Sequence, residues 1–72
     1  MLSQKWEYCT VEWIWNQKSV RCNFPDGDEL TQSGSYGEVV DFLTSLGGEG
    51  WEVATCAAGG NWLFWTLKRP TL

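Results

Sequence analysis

Six tryptophans in a chain of only 72 residues set the tightest constraint on what this sequence can fold into. A chain this short buries only about 60% of the surface that its unfolded form exposes, so its core needs unusually large side chains or an external support. Aromatic residues make up 15% of the chain, whereas disordered segments contain few aromatic residues. We therefore expect one small folded domain over residues 1–72, with tryptophans supplying much of the core.

The charge balance argues against several classes of partner. Nine acidic and five basic residues give a net charge of −4, and Lys68-Arg69 is the only adjacent pair of cations. Because phosphate neutralisation supplies most of the affinity of nucleic-acid binders, we expect no nucleic-acid partner.

The first residues lack the apolar core of a signal peptide, and no segment is apolar over the length of a membrane span. The expected location is cytoplasmic, without membrane contact.

The sequence lacks the residue patterns of common catalytic and metal sites. It contains no histidine, and Cys9, Cys22 and Cys56 stand alone, without a CxxC pair. Asp26 and Asp28 lie in a turn-like segment, but the spacing is not that of a calcium loop. We expect no catalytic residue, no metal and no cofactor, and therefore a protein that is not an enzyme.

The order of the predicted elements is ββαββ. Residues 6–15 and 18–24 are rich in aromatic and β-branched side chains, which predicts a hairpin. Residues 25–35 have the composition of a loop. A helix begins after Ser35, where Ser35 and Glu38 match a capping box, and it ends at Gly47-Gly48. The last two strands are predicted over residues 51–57 and 62–69, giving an α+β fold in which one helix packs on one face of an antiparallel sheet of three to four strands.

Three short motifs carry a resemblance to a known family. These are Trp6-Glu7-Tyr8 at the start, Leu46-Gly47-Gly48-Glu49-Gly50-Trp51-Glu52-Val53 between helix and strand, and Lys68-Arg69-Pro70 near the end. Together they resemble the small bacterial family catalogued as domain of unknown function four thousand one hundred and seventy-seven. The resemblance covers most of the chain and implies a small α+β fold without a known activity. The aromatic end of the first strand and residues 25–35 depart from the family's pattern.

Strand alternation sorts the large side chains into two sets, and only one set can lie under the single helix. The set expected under the helix comprises Trp6, Tyr8, Thr10, Ile14, Trp51, Val53, Leu63, Trp65 and Leu67. The set expected on the open face comprises Cys9, Val11, Trp13, Trp15, Ala54, Cys56, Trp62 and Phe64. From the second set, we predict Val11, Trp13, Trp15, Trp62 and Phe64 as an interface or ligand face.

An open aromatic face of this kind is compatible with three functions. The first is a non-enzymatic assembly or interaction module in which the face joins copies of the chain, with a homodimer favoured. The second is a small-molecule binder that uses the tryptophans as stacking walls. The third is a platform on which single-stranded nucleic acid stacks, which the net charge of −4 disfavours.

Overall fold

The computed structural model describes residues 4–71, which form one antiparallel five-stranded sheet with one helix on one of its faces. The predicted α+β fold and antiparallel sheet are confirmed, but the sheet has five strands rather than three to four. The order is βββαββ, because an additional strand precedes the helix. The elements are β1 (Trp6–Ile14), β2 (Ser19–Asn23), β3 (Glu29–Ser33), α1 (Tyr36–Gly48), β4 (Glu52–Ala58) and β5 (Trp62–Pro70).

The two longest strands, β1 and β5, lie side by side near the middle of the sheet. The strand order is β3-β2-β1-β5-β4, and each neighbouring pair is antiparallel. β1 and β5 each contain nine residues and together carry six of the eleven aromatic side chains of the chain, which fit a pleated surface. We call the end of the sheet at which β1 finishes, at Ile14, the upper end, and the end at which β1 begins, at Trp6, the lower end.

Strand β3 lies inside residues 25–35, the segment predicted as a loop, so that prediction is wrong over the strand. A turn closed by a hydrogen bond from the Phe24 amide to the Asp28 carbonyl at 2.9 Å reverses the chain. Gly27 accepts the positive φ of 93° that the turn requires. β3 then pairs with β2 along its whole length, and all of its residues are exposed. A polar edge strand lacks the apolar alternation by which sequence reveals a strand.

The helix begins where the sequence predicts, but by a different local contact. Ser35 occupies the N-cap position, and its hydroxyl makes no capping hydrogen bond. The Glu38 amide instead donates to the backbone carbonyl of Ser35 at 3.1 Å. The predicted capping box is therefore not formed.

The end of the helix is a Schellman motif built around Gly50. The Trp51 amide donates to the Leu46 carbonyl at 3.1 Å, and the Gly50 amide donates to the Gly47 carbonyl at 3.0 Å. Gly50 has a φ of 94°, the left-handed conformation that this motif needs. Trp51 and Leu46 are both buried, which is the apolar contact that accompanies the motif. The helix ends at Gly48, as predicted from its glycine pair.

The helix crosses its face of the sheet diagonally. At the upper end, the indole N–H of Trp13 donates to the carbonyl of Gly34, just before the helix, at 3.1 Å. At the lower end, the guanidinium of Arg69 donates to the carbonyl of Glu49, just after the helix, at 3.0 Å. The chain thus passes from one edge strand, β3, to the other, β4. The core between helix and sheet contains Cys9, Val11, Trp13, Val20, Cys22, Val39, Leu46, Trp51, Trp65 and Leu67.

Candidate functional site

The side chains of β1 that the sequence assigns to the open face point toward the helix instead. Val11 is fully buried and Trp13 is 4% exposed, so both belong to the core. Trp6, expected in the core, is 41% exposed. The register explains the correction, because Trp13 lies opposite Leu63 of β5, and directly opposed residues share a face. The assignment of Val11 and Trp13 to an interface is therefore replaced by a core role.

The carboxylates of β1 do not identify its buried face from the sequence alone. Glu12 alternates with Tyr8 and Ile14, whereas Glu7 alternates with the buried Val11 and Trp13. Glu7 remains on the helix side because it pairs with Arg69. A carboxylate is rarely buried unless it is paired, so the partner that the register supplies decides between the two sets.

The face of the sheet opposite the helix, which we call the outer face, carries a group of large apolar side chains. Tyr8 is 53% exposed, and the rings of Trp62 and Phe64 lie 5.5 Å apart. Trp62 and Phe64 were predicted for an open face and lie on this one, because they pair with Ile14 and Glu12 of β1. We define the aromatic patch as Trp6, Tyr8, Ile14, Trp62 and Phe64.

The aromatic patch has two parts separated by a neutral polar row. Thr10, Thr66 and Thr55 are neighbours across β1, β5 and β4, and their side chains share the outer face. Ile14, Trp62 and Phe64 lie above this row, and Trp6 and Tyr8 lie below it. The centre of the outer face therefore carries hydroxyl groups but no charge.

The charges of the outer face are paired with one another. Arg21 lies 3.6 Å from Glu12 and 3.8 Å from Glu29, and Lys68 lies 3.7 Å from Glu52. The indole N–H of Trp62 also donates to Glu12, at 3.2 Å. Below the threonine row, the Lys68 ammonium lies 4.5 Å from the ring centre of Trp6, within the range of a cation–π contact. Exposed pairs of this kind contribute little stability but leave the face nearly neutral.

Trp15, predicted as part of the interface, lies beyond the upper end of β1 and separates two clefts. It is 62% exposed, and its ring makes an edge contact with Trp13, the centroids lying 5.3 Å apart. Tyr36, at the start of the helix, makes a second edge contact with Trp13 at 5.6 Å. One cleft, of about 220 Å³, is lined by Trp13, Trp15, Lys18, Ser35 and Tyr36. The other, of about 240 Å³, reaches the turn before β5.

A larger cavity, of about 370 Å³, lies at the lower end of the sheet beside Arg69. The Arg69 guanidinium is already engaged there: it pairs with Glu7, donates to the Glu49 carbonyl and lies 4.3 Å from the ring centre of Trp51. The cavity is also lined by Phe24, Pro25 and Asp26. These contacts tie the end of the helix to the sheet, which gives Arg69 a structural role.

The buried thiols are poorly suited to nucleophilic chemistry. Burial raises the pKa of Cys22 from 9.0 to about 12, and the neighbouring Cys9 adds to the rise. Burial also raises the pKa of Cys9, although a hydrogen bond with Cys22 acts in the opposite direction. The thiolate is the reactive form, so both thiols stay in their unreactive form at neutral pH. Cys56 is exposed on β4.

Within residues 4–71, no group of three or more Asp, Glu or Cys side chains is arranged to hold a metal ion. In the same part of the chain, no helix has the length and apolar character needed to cross a membrane.

A comparison of the chain with protein families, curated proteins and solved structures finds no match. The resemblance carried by the three short motifs therefore stays a prediction.

Proposed function

We propose that this chain is a non-enzymatic assembly module that self-associates through its outer face as a two-fold homodimer. The observation that carries the proposal is the aromatic patch, which lies on the one face of the sheet that the helix does not cover. Trp6 and Tyr8 are the most exposed members of the patch. Two such faces can stack about 10 Å apart, as the sheets of a β-sandwich do.

The area of the patch favours a reversible contact. A large aromatic side chain covers about 150–250 Å², so the half-exposed Trp6 and Tyr8 alone leave roughly 200 Å² of apolar surface in water. The half-buried Ile14, Trp62 and Phe64 add to it. Patches of about 300–600 Å² are the largest on typical monomers and are often functional. We therefore expect a dimer whose population depends on concentration.

The charges of the outer face favour a second copy as the partner. On this face, Arg21 pairs with Glu12 and Glu29, and Lys68 pairs with Glu52. The net charge of these five side chains is −1, whereas the net charge of the whole chain is −4. Two copies can then approach with little repulsion, and the uncharged threonine row lies at the centre of the contact. Glu12 can lose water at a small cost because Arg21 and Trp62 already satisfy it.

Sedimentation of a Phe64→Lys variant tests the dimer. Phe64 lies opposite Glu12, so the new ammonium gains a partner within the chain while it disrupts the apolar contact. Over about 1 µM to 1 mM, the wild-type mass should rise from one copy to at least two, and the variant should weaken association at least about tenfold, or about 1.4 kcal/mol.

The matched control is Val40→Lys, which adds the same charge at an exposed apolar residue on the helix. It should leave association unchanged. If Phe64→Lys loses its circular dichroism signal, Tyr8→Glu replaces it, since Tyr8 is exposed and lies opposite Lys68. A wild-type chain that stays monomeric over the whole range, or folded variants of the patch that associate as well as wild type, would overturn the proposal.

A second candidate function, ligand binding, is favoured by the clefts on either side of Trp15. The cleft that contains Lys18 has aromatic walls from Trp15 and Tyr36 and one cation at its rim. Stacking walls beside an ammonium fit a planar ring that carries an anionic group, and Lys18 disfavours a cationic ligand. This site would use Trp13 and Trp15 of the predicted ligand face, but as neighbours of Tyr36.

Titration with naphthoate, followed by tryptophan fluorescence, tests the ligand site. Saturable quenching should be lost in Trp15→Ala and kept in Trp6→Ala, which removes an exposed tryptophan at the other end of the sheet. Tetramethylammonium should not compete. Quenching that is linear in naphthoate concentration, or equal in the two variants, would contradict ligand binding in this cleft.

A further inference from the structure

The two edges of the sheet differ in how they are protected from pairing with another strand. An unpaired edge offers a row of N–H and C=O groups, and natural edges are commonly blunted by charges, proline or short length. β3 is a five-residue polar strand that begins with Glu29. β4 has seven residues, all exposed, and Glu52 at its first position is its one charged residue. Among the described residues, β4 pairs with β5 on one side only.

We propose that β4 pairs antiparallel with β4 of a second copy about a two-fold axis at Cys56, which joins two sheets into one of ten strands. The distribution of charge favours this orientation. Antiparallel pairing about Cys56 places the two Glu52 side chains roughly 25 Å apart, whereas an in-register parallel pairing would place them about 5 Å apart. The remaining side chains of the strand are small or uncharged, so they neither clash nor repel across the contact.

The proposed axis lies in the regular part of the strand. A register shift between Val53 and Thr55 disturbs the ladder near the Glu52 end, whereas the residues from Thr55 to Ala58 pair regularly with β5. Cys56 lies in this regular part and is exposed. In an antiparallel pair, a residue on the axis faces its own copy with Cα atoms about 4.5–5.5 Å apart. That spacing allows a disulfide between the two Cys56 thiols.

The edge contact leaves the outer face free. A two-fold axis normal to the sheet puts both helices on the same side, so the two aromatic patches lie side by side on the other. If the outer faces also stack, as the proposed function holds, the two kinds of contact close into a tetramer with perpendicular two-fold axes. An edge contact alone is small, so it gains strength from simultaneous engagement of the face.

Oxidative cross-linking of the folded wild-type chain tests the edge contact. Diamide accepts two electrons and two protons as a pair of thiols forms a disulfide. The expected product is a covalent dimer linked through Cys56, identified by peptide mass spectrometry, while Cys9 and Cys22 are shielded by burial. The matched control is Cys56→Ser with Thr31→Cys, which moves the exposed thiol to the other edge strand, opposite Arg21 and on the other face from Cys22. The control should cross-link at least about tenfold more slowly, because chance encounters lack the effective concentration of a bound pair.

Two further variants distinguish the edge contact from the contact between outer faces. Cys56→Lys places two ammonium groups against each other on the axis, and Leu30→Lys places the same charge on β3. Cys56→Lys should halve the wild-type mass at high concentration, and Leu30→Lys should not change it. If Phe64→Lys removes the face contact, the variant should still cross-link through Cys56.

Each combination of outcomes has a distinct meaning. Equal cross-linking rates at the two edges, or a Cys56→Lys variant with the wild-type mass, would overturn the edge contact and leave the face proposal intact. A mass that falls with Cys56→Lys but not with Phe64→Lys would overturn the face contact and support the edge. If Cys56→Lys does not fold, the comparison of cross-linking rates decides the proposal by itself.

Discussion

Two buried thiols give the folded chain a pH-dependent stability. Cys9 and Cys22 lie in neighbouring strands, and both are buried in the core. Burial raises the pKa of Cys22 to about 12, so the folded chain keeps this thiol protonated where the unfolded chain begins to ionise it, near 9. The stabilising contribution is therefore complete below about pH 9 and is lost as the pH rises toward about 12.

Alkaline pH is accordingly predicted to destabilise the wild-type chain more steeply than a Cys22→Ala variant. The difference in slope can reach about 1.4 kcal/mol per pH unit once the unfolded thiol is ionised. Urea unfolding of the two chains at a series of values from about pH 7 to about pH 10 measures this difference in slope. Parallel slopes for Cys22→Ala and wild type would show that burial of this thiol does not affect stability.

At the level of single aromatic residues, the tryptophans divide into three roles. Trp51 and Trp65, both predicted as core, are buried, and Trp13 joins them with its indole N–H bonded to Gly34. Trp6 and Trp62 lie on the outer face. Trp15 is the most exposed of the six and continues past the end of the strand.

At the level of elements, the end of the helix depends on one backbone conformation. Gly50 has a φ of 94°, and an added Cβ would meet no atom within 4 Å. The cost of a side chain there is therefore backbone strain rather than steric overlap. Trp51, the residue after it, is buried against Leu46, so a change at Gly50 also disturbs a core contact.

Gly50→Ala is predicted to lower the free energy of unfolding by about 1 kcal/mol, the typical cost of a left-handed conformation for a residue with a Cβ. Gly48→Ala is the matched control, since Gly48 lies in the helix and an added Cβ meets nothing within 4 Å. It should be neutral or stabilising by up to about 1 kcal/mol. Gly50→Asn should lose less than Gly50→Ala, because asparagine tolerates this conformation better. Thermal or urea unfolding would rank the three, and an equal loss for Ala at both positions would refute the assignment.

At the level of the whole molecule, the diagonal path of the helix determines which surfaces stay open. The helix starts at the β3 side of the upper end and finishes at the β4 side of the lower end, so it leaves two corners of its own face uncovered. The cleft that reaches the turn before β5 occupies one corner, and the cavity beside Arg69 and Phe24 occupies the other. The outer face and the β4 edge complete the set of open surfaces, and a second copy can use both at once.

The sequence by itself determined the class of fold, the extent of most elements and both ends of the helix. These features depend on local signals: aromatic alternation in β1, the glycine pair at the end of the helix, and the left-handed turn at Gly50. β3 was missed because a polar, fully exposed strand has no local apolar signature and exists through its pairing with β2.

Only the tertiary structure decided which face of β1 is buried, and the candidate site depends on that face. Alternation divides a strand into two sets of side chains but does not relate the sets of neighbouring strands, because that relation is set by register. The pairing of Trp13 with Leu63 and of Glu12 with Phe64 moved Val11 and Trp13 into the core and brought Trp6, Tyr8 and Ile14 out. Register depends on contacts between residues far apart in the chain. For that reason the sequence could predict that an open aromatic face exists, but not which residues form it.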